Sequence, residues 1–384
     1  MIDIESLVEI DIPYSKRRKS GQGFVIDCPF CGGRMKLNVN PHKNVWRCAK
    51  CDRSGGPVRL HAYIKDMSMN EASNDLKRIA ATQPAERNHR TRKSQKEIVP
   101  ADIMIRNTVY TRLLDYLELK QTHRDNLLAR GLREQDIQVL GYKSYFDVND
   151  ALKRSETAKQ LIPDVFPIKA GYGIPGIRGI GSDSMTFVSK RDGFLIPVKT
   201  EKGYISSFQV RASEVSDDIP RYSWLSSSQY KDGCIFTGCE TIHHAGNWLI
   251  DPLPHTIGLT EGALKADIAS VLYDRIDPKA GPHLFLGLTG VNNISQLPDA
   301  LRYCADRGTR KIGIFIDMDY RSKKEVADAL NRILEIISSC RCPDGTPLQY
   351  QIMEWDEKYK GIDDYLLSVY QRETVSGKTI FRSC

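Results

Sequence analysis

The sequence has no run of eighteen apolar residues, so no segment is expected to cross a membrane as a helix. Its opening residues, Met1-Ile2-Asp3-Ile4-Glu5, are acidic and lead into no apolar core segment, which argues against a secretory signal peptide. A cytoplasmic protein is therefore expected. Nothing repeats with a period of 20–50 residues, which argues against a solenoid. No Gly-x4-Gly-Lys-Ser/Thr phosphate loop is present, because Gly377-Lys378-Thr379 has Arg372 where the first glycine belongs. Acidic charge is short in one place only. The net charge of the 384 residues is +7, the first 100 carry 19 Lys and Arg against 11 Asp and Glu, and the remainder is close to neutral. The basic surplus gathers at Lys16-Arg17-Arg18-Lys19 and between Arg87 and Lys96. Such runs suit phosphate contact, or a solvated arm and linker.

Cysteine is plentiful, with ten in the chain, and four of them form a pattern. Cys28-Pro29-Phe30-Cys31 and Cys48-Ala49-Lys50-Cys51 are two C-x2-C knuckles 16 residues apart. Each turn presents two sulfurs on one side, and two turns complete a tetrahedral thiolate shell for one Zn²⁺. The segment between them reads as paired strands, 34–40 and 45–47, with a turn at Pro41-His42-Lys43-Asn44. All four ligands are protein groups, so the zinc is structural. Lys36, Trp46, Arg47 and Lys50 place bases beside an aromatic on this ribbon, a mixture that suits single-stranded DNA through phosphate contact and stacking. Trp46 serves equally well as the packing residue of a small core.

Helical spacing over 57–81 closes a first domain, 1–81, and the polar, basic stretch 82–100 reads as a linker. A basic block follows, 101–254. It holds helices over 103–141, a glycine-rich loop from Gly171 to Gly181, and a hairpin that pairs Phe194–Val198 with Ile205–Arg211. Lys190, Arg191, Lys199, Arg211, Arg221 and Lys231 dot this block, either as a template or triphosphate track or as a solvated sheet face. From residue 255 to 370 strands alternate with helices. Strands fit 255–260, 283–288, 311–316 and 349–354; helices fit 262–276, 293–307 and 323–339. This is the pattern of a parallel sheet. Residues 371–384 form a short tail. The fold class is thus mixed α/β: a zinc ribbon, a linker, a mixed α+β basic subdomain and a Rossmann-like parallel sheet.

Carboxylates fall where the strands of that sheet end. Glu261 ends the first and Asp317-Met318-Asp319 the third, while Asp363-Asp364 follows the fourth. Ligands of open α/β sheets bind at the carboxyl ends of strands. If the chain stays extended, Asp317 and Asp319 point to the same side. Acids gathered there repel one another unless cations sit among them, and their oxygens suit Mg²⁺ or Mn²⁺. Taken singly, they are equally well read as helix caps or surface acids.

In this order of parts the chain resembles the DnaG-type bacterial and phage primases along nearly its whole length. The ribbon resembles their zinc-binding domain, although Cys31 stands where that family often has His. Leu128-Ala129-Arg130-Gly131-Leu132 with Leu140-Gly141-Tyr142 is similar to the opening of the family's polymerase core. Gly193–Val198 through Arg211, then Pro220-Arg221-Tyr222, looks like its basic subdomain. Glu261-Gly262 with Asp317-x-Asp319 and Lys360-Gly361-Ile362-Asp363-Asp364-Tyr365-Leu366 resembles its Toprim signature.

The resemblance implies a metal-dependent RNA polymerase that makes RNA primers from NTPs on single-stranded DNA. It implies Glu261, Asp317, Asp319 and Asp363 as catalytic, and these with Asp364 as Mg or Mn ligands. Arg191, Arg211, Arg221, Tyr222, Lys231 and Lys265 would contact nucleotide or template. It also implies a separate replicative helicase as partner, in a bacterial host cytosol. No helicase motor or helicase-interaction domain of usual length is expected after residue 370, which fits a compact primase of a phage or plasmid. A Toprim nuclease and a non-catalytic DNA-binding or loading protein are the alternatives.

Overall fold

The computed structural model describes residues 3–13, 15–21, 23–82, 98–162, 173–180, 184–216, 219–230, 232–238, 241–290, 293–321 and 324–376. The chain divides into two compact units, 1–97 with 228–231 and 98–227 with 232–384. The linker expected at 82–100 and the tail at 371–384 lie largely outside the described residues.

In the first unit, helix α1 (Ile4–Asp11) precedes five antiparallel strands in sequential order: β1 (Arg18–Ser20), β2 (Gly23–Ile26), β3 (Leu37–Asn40), β4 (Val45–Cys48) and β5 (Ser54–Gly55). The hairpin read between the cysteine knuckles is β3–β4, with Leu37 opposite Cys48 and Asn40 opposite Val45. Helices α2 (Pro57–Lys65) and α3 (Met69–Thr82) close the unit. Its core draws Ile4, Leu7, Ile26, Leu37, Val39, Trp46 and Leu60 together. His61 is buried among the helices. Its ring nitrogens lie 2.7 Å from Asp11 Oδ2 and 3.0 Å from Asp75 Oδ2, so one imidazole ties all three together.

The second unit opens with α4 (Ile103–Tyr116), α5 (Gln121–Leu128), α6 (Glu134–Leu140), β6 (Lys143–Ser144) and α7 (Ala151–Leu161). Strands β7 (Ile177–Ile180) and β8 (Ser184–Phe187) then pair antiparallel. The glycine-rich stretch read as a loop thus contributes a strand over its described end, where Ile177 and Gly179 turn inward. The expected hairpin forms as β9 (Gly193–Lys199) and β10 (Ile205–Ala212), joined by β11 (Tyr222–Trp224) in a sheet ordered β11-β10-β9-β6.

The parallel sheet contains β13 (Thr256–Glu261), β14 (Phe285–Leu288), β15 (Lys311–Phe315) and β16 (Gln349–Ile352), and the connections hold α8 (Ala263–Ile276), α9 (Leu297–Asp306) and α10 (Lys324–Ser339), with α11 (Ile362–Ser376) last. The order is β12-β14-β13-β15-β16. Its antiparallel edge, β12 (Ile242–Ala245), comes from the block read as basic subdomain. Side chains alternate across the sheet. Leu286, Ile312 and Ile314 join α9 and α10 in one core, whereas Phe285 and Phe315 join α8 and α11 in the other. Burial on both faces is why β13, β14 and β15 read as near-continuous apolar runs, whereas the edge strand β16 is largely exposed.

A buried polar network fastens the two sheets. The Lys199 backbone N–H donates to His243 Nδ1 at 3.0 Å, which leaves Nε2 as the protonated nitrogen. Nε2 lies 2.8 Å from Asp267 Oδ1, and the Tyr142 hydroxyl donates to Asp267 Oδ2 at 2.6 Å. One carboxylate on α8 thereby satisfies two buried donors from β12 and from the start of β6.

Candidate functional sites: a zinc ribbon and a carboxylate–guanidinium centre

The four cysteines of the ribbon converge. Their sulfurs all lie within 4.8 Å of one another, with Cys28 and Cys51 3.9 Å apart and Cys31 and Cys48 3.8 Å apart. A tetrahedron with Zn–S bonds of about 2.3 Å has edges of about 3.8 Å, so these spacings match a thiolate zinc shell. The backbone N–H groups of Lys50 and Cys51 point at Cys48 Sγ from 3.3 and 3.4 Å, as a thiolate requires. The site is a structural zinc ribbon.

The surface of the ribbon differs in one respect from the sequence reading. Lys36, Arg47 and Lys50 are exposed, with Arg47 paired to Asp52. Trp46 is not available to stack on a base. It is 1% exposed, its indole N–H donates to Gly56 O, and its ring packs 5.4 Å from Phe30. In so small a core the largest ring becomes the centre. The aromatic that does reach the surface is Tyr63 on α2, 47% exposed, with the Arg53 guanidinium over its ring at 5.5 Å. A lone tyrosine inside a helical pattern gave no sequence signal for this.

At the carboxyl ends of β13 and β15, Glu261 and Asp317 stand with Asp363 around Lys265, by a local route that differs from the sequence reading. The Thr260 hydroxyl donates to Phe315 O at 2.8 Å and holds the two strand ends side by side. After Glu261 the chain turns at Gly262, whose φ of +94° is open to glycine and strained for other residues, and α8 begins. Past β15 the extended conformation does not persist. Asp317 leads into a 3-10 turn over Met318–Arg321, so the alternation argument that put Asp317 and Asp319 on one side does not apply. The Asp319 side chain lies outside the described residues, as does Lys231 altogether. The Met318 N–H donates to Lys360 O at 3.1 Å, which draws the segment before α11 against the end of β15.

Lys265, in the first turn of α8, stands at the centre. Its ammonium pairs directly with Asp317, and it faces Asp363 and Glu261. Burial presses against its charge, yet Asp317, Asp363 and Glu261 outweigh burial and hold its pKa above the ordinary lysine value. Asp317 and Asp363 are both buried, at 8% and 9% exposure. Burial pushes the Asp363 carboxyl up, Asp364 and Asp317 add to that push, and Lys265 and Arg130 oppose it. Asp364 is exposed. Among the described residues, only the four cysteines bring three or more donor atoms within 4.8 Å. The carboxylates are hard oxygen donors that demand positive charge, so their chemistry fits Mg²⁺ or Mn²⁺, although here an ammonium pairs with one of them, Asp317.

A guanidinium cluster adjoins the acids. Arg130 lies 3.5 Å from Asp363 Oδ2. Arg211 on β10 is partly buried over the Phe194 ring, and its Nε has no hydrogen-bond partner. Burial, then the charges of Arg130 and Arg221, press the Arg211 pKa down, while Tyr222 opposes them. Three guanidiniums held this close favour an anion among them. Arg221 and Tyr222, read from sequence as contacts, belong to this cluster. Arg130 was read only as part of a motif, and its place beside Asp363 was not legible. Arg191 is exposed on the turn before β9.

Residues 1–92 match the family model of the CHC2 zinc finger, the zinc ribbon of DnaG. No curated protein matches the chain. Among solved structures, the chain is similar to the Aquifex aeolicus primase (zinc-binding and RNA polymerase domains) at 17% identity and a TM-score of 0.46, covering 98% of this chain and 82% of that one. It is similar to the E. coli primase catalytic core at 17% identity and 0.45, covering 71% and 78%. The RNA polymerase domain of Mycobacterium tuberculosis primase DnaG is similar at 12% identity and 0.46, covering 71% and 84%. Residues 1–92 of this chain are thus similar to the CHC2 zinc finger of DnaG, with a cysteine at all four ligand positions.

Proposed function

We propose that the protein is a metal-dependent DNA primase that joins NTPs into short RNA primers on single-stranded DNA. The observation that carries this reading is the convergence of Asp317 and Asp363 beside Arg130 and Arg211, in a chain whose first 92 residues match the CHC2 zinc finger. A divalent ion held by the carboxylates of Glu261, Asp317, Asp319 and Asp363 would supply charge neutralisation for a triphosphate and its leaving group. The chain's own groups do the rest. Arg130, Arg211 and Arg221 take phosphate oxygens, and the unpartnered Arg211 Nε donates to one of them. Glu261, at the strand end, would take a proton from an attacking hydroxyl. Lys36, Arg47 and Lys50 contact template phosphates as part of template selection. The partners are single-stranded DNA, NTPs and a separate replicative helicase.

The test is to incubate the zinc-loaded protein with labelled NTPs, Mg²⁺ or Mn²⁺ and single-stranded DNA. Short labelled RNA is expected, and Asp317→Ala should abolish it while DNA binding persists. Shortened template with no RNA under either metal would replace this reading with a nuclease.

A further inference from the structure

Lys265 is an unusual residue for a metal-binding carboxylate cluster, because it brings its own positive charge to the place a metal ion would take. Two independent observations fix where that charge sits. Its ammonium pairs with Asp317. A Cβ built on Gly361 would also stand 3.2 Å from Lys265 Nζ and 2.5 Å from Asp363 Oδ1, so both groups reach the same point from opposite elements. The ammonium therefore pairs with Asp317, just past the end of β15, and stands near Asp363, at the start of α11, without an ion pair to it.

The position is costly in every other respect. The first turn of a helix disfavours cations, because its free N–H groups carry partial positive charge. The side chain is also mostly withdrawn from solvent, at 18% exposure. A lysine held there is held by the acids around it.

We propose that Lys265 is a tethered cation that replaces one metal ion: it offsets the charge of Asp317 beside Asp363, so the catalytic centre takes one divalent ion fewer than its carboxylates would otherwise hold. This rests on reading the centre as a metal site. The remaining divalent ion would be held by the carboxylates that the lysine leaves free, Glu261 among them. An ammonium offers three donors and no acceptors, so it pairs with a carboxylate as a metal does but cannot bind substrate oxygens by coordination.

The experiment counts bound Mn²⁺ per zinc-loaded full-length chain, by electron paramagnetic resonance of the free ion, for the wild type, Lys265→Met and Lys265→Arg. The expected result is one more Mn²⁺ on Lys265→Met than on the wild type, with Lys265→Arg restoring the wild-type number. Retained zinc content and an unchanged near-ultraviolet circular dichroism spectrum establish that the Met variant is folded, and Lys265→Gln serves as a second neutral variant. Equal numbers on the wild type and both neutral variants, in a protein that synthesises primers, would overturn the inference and leave the metal-dependent reading intact. No Mn²⁺ on any of the variants would overturn both.

Discussion

Gly361→Ala separates the chemistry of the site from the stability of the fold. Gly361 lies one residue before α11, where its carbonyl accepts the Tyr365 N–H at 3.2 Å. It is not among the glycines with positive φ, so the backbone accepts alanine. Fewer unfolded conformations should then stabilise the variant by about 0.4–1 kcal/mol. The added Cβ, however, arrives 2.5 Å from Asp363 Oδ1 and 3.1 Å from Lys265 Cε. At an ordinary van der Waals separation of about 3.5 Å, the Asp363 carboxylate must withdraw by about 1 Å. Both obstructing groups are the ends of side chains, so the fold yields easily and the site does not. A misplacement of about 1 Å at reacting groups costs on the order of 10²-fold in rate. The expected outcome is a melting temperature equal to the wild type or slightly higher, unchanged affinity for single-stranded DNA, and primer synthesis reduced about 10²-fold. Primer synthesis within twofold of the wild type would show that the position of Asp363 does not govern the reaction. A melting temperature lower by several degrees would show that Gly361 is a structural requirement instead.

Three further perturbations test separate parts of the molecule. Trp46→Ala should cost the ribbon about 3–5 kcal/mol as a core deletion, measured as zinc release at lower denaturant, whereas Arg47→Ala and Lys50→Ala should leave zinc in place and each reduce the salt slope of single-stranded DNA binding by about 0.7. Tyr142→Phe removes one of the two donors to the buried Asp267 carboxylate and should destabilise the second unit by about 1.5–3 kcal/mol in thermal denaturation; no change would mean that a water takes the place of the hydroxyl. His244 is pushed down to about 4 by burial, with the neighbouring His243 adding to the effect. Its unfolded form takes up a proton near pH 6.5 and its folded form does not. Stability should therefore be full above that pH and fall as pH drops from 6.5 toward 4, by on the order of 3 kcal/mol, and His244→Phe should flatten this part of the profile.

The parallel sheet was legible because its inner strands β13, β14 and β15 are buried on both faces. Ile257–Thr260 and Ile312–Ile316 carry almost no polar interruption, and each is followed by a helix-periodic stretch. The edge strand β12 was not, since Ile242-His243-His244-Ala245 looks polar. Its first histidine is buried only because Asp267, 24 residues later, accepts its proton donor. The zinc ligands were legible from spacing alone. The ribbon's exposed aromatic was not, because burial of Trp46 and exposure of Tyr63 are decided by which ring fills a core of a dozen side chains. At the acid centre, residue types and strand ends were legible, while the 3-10 turn after Asp317 was not, since Met318-Asp319-Tyr320-Arg321 carries no glycine or proline to announce it.

Lys265 shows most clearly why the chemistry of the centre was only partly written in order. Glu261 and Lys265 stand four residues apart, a spacing that in a continuous helix is an ordinary solvated ion pair worth a few tenths of a kcal/mol. Gly262 breaks that continuity. With its φ at +94° the helix starts only at Ala263, Glu261 stays on the strand, and Lys265 becomes a first-turn residue. From there the lysine turns away from solvent toward the acids that follow β15 and precede α11, more than 50 residues further along the chain. The macrodipole and burial both oppose this placement, and only the summed negative charge of Glu261, Asp317 and Asp363 reverses the balance. The lysine thus reports on the field of the site. A centre negative enough to hold a cation at the wrong end of a helix suits the divalent ion proposed for the carboxylates that the lysine leaves free.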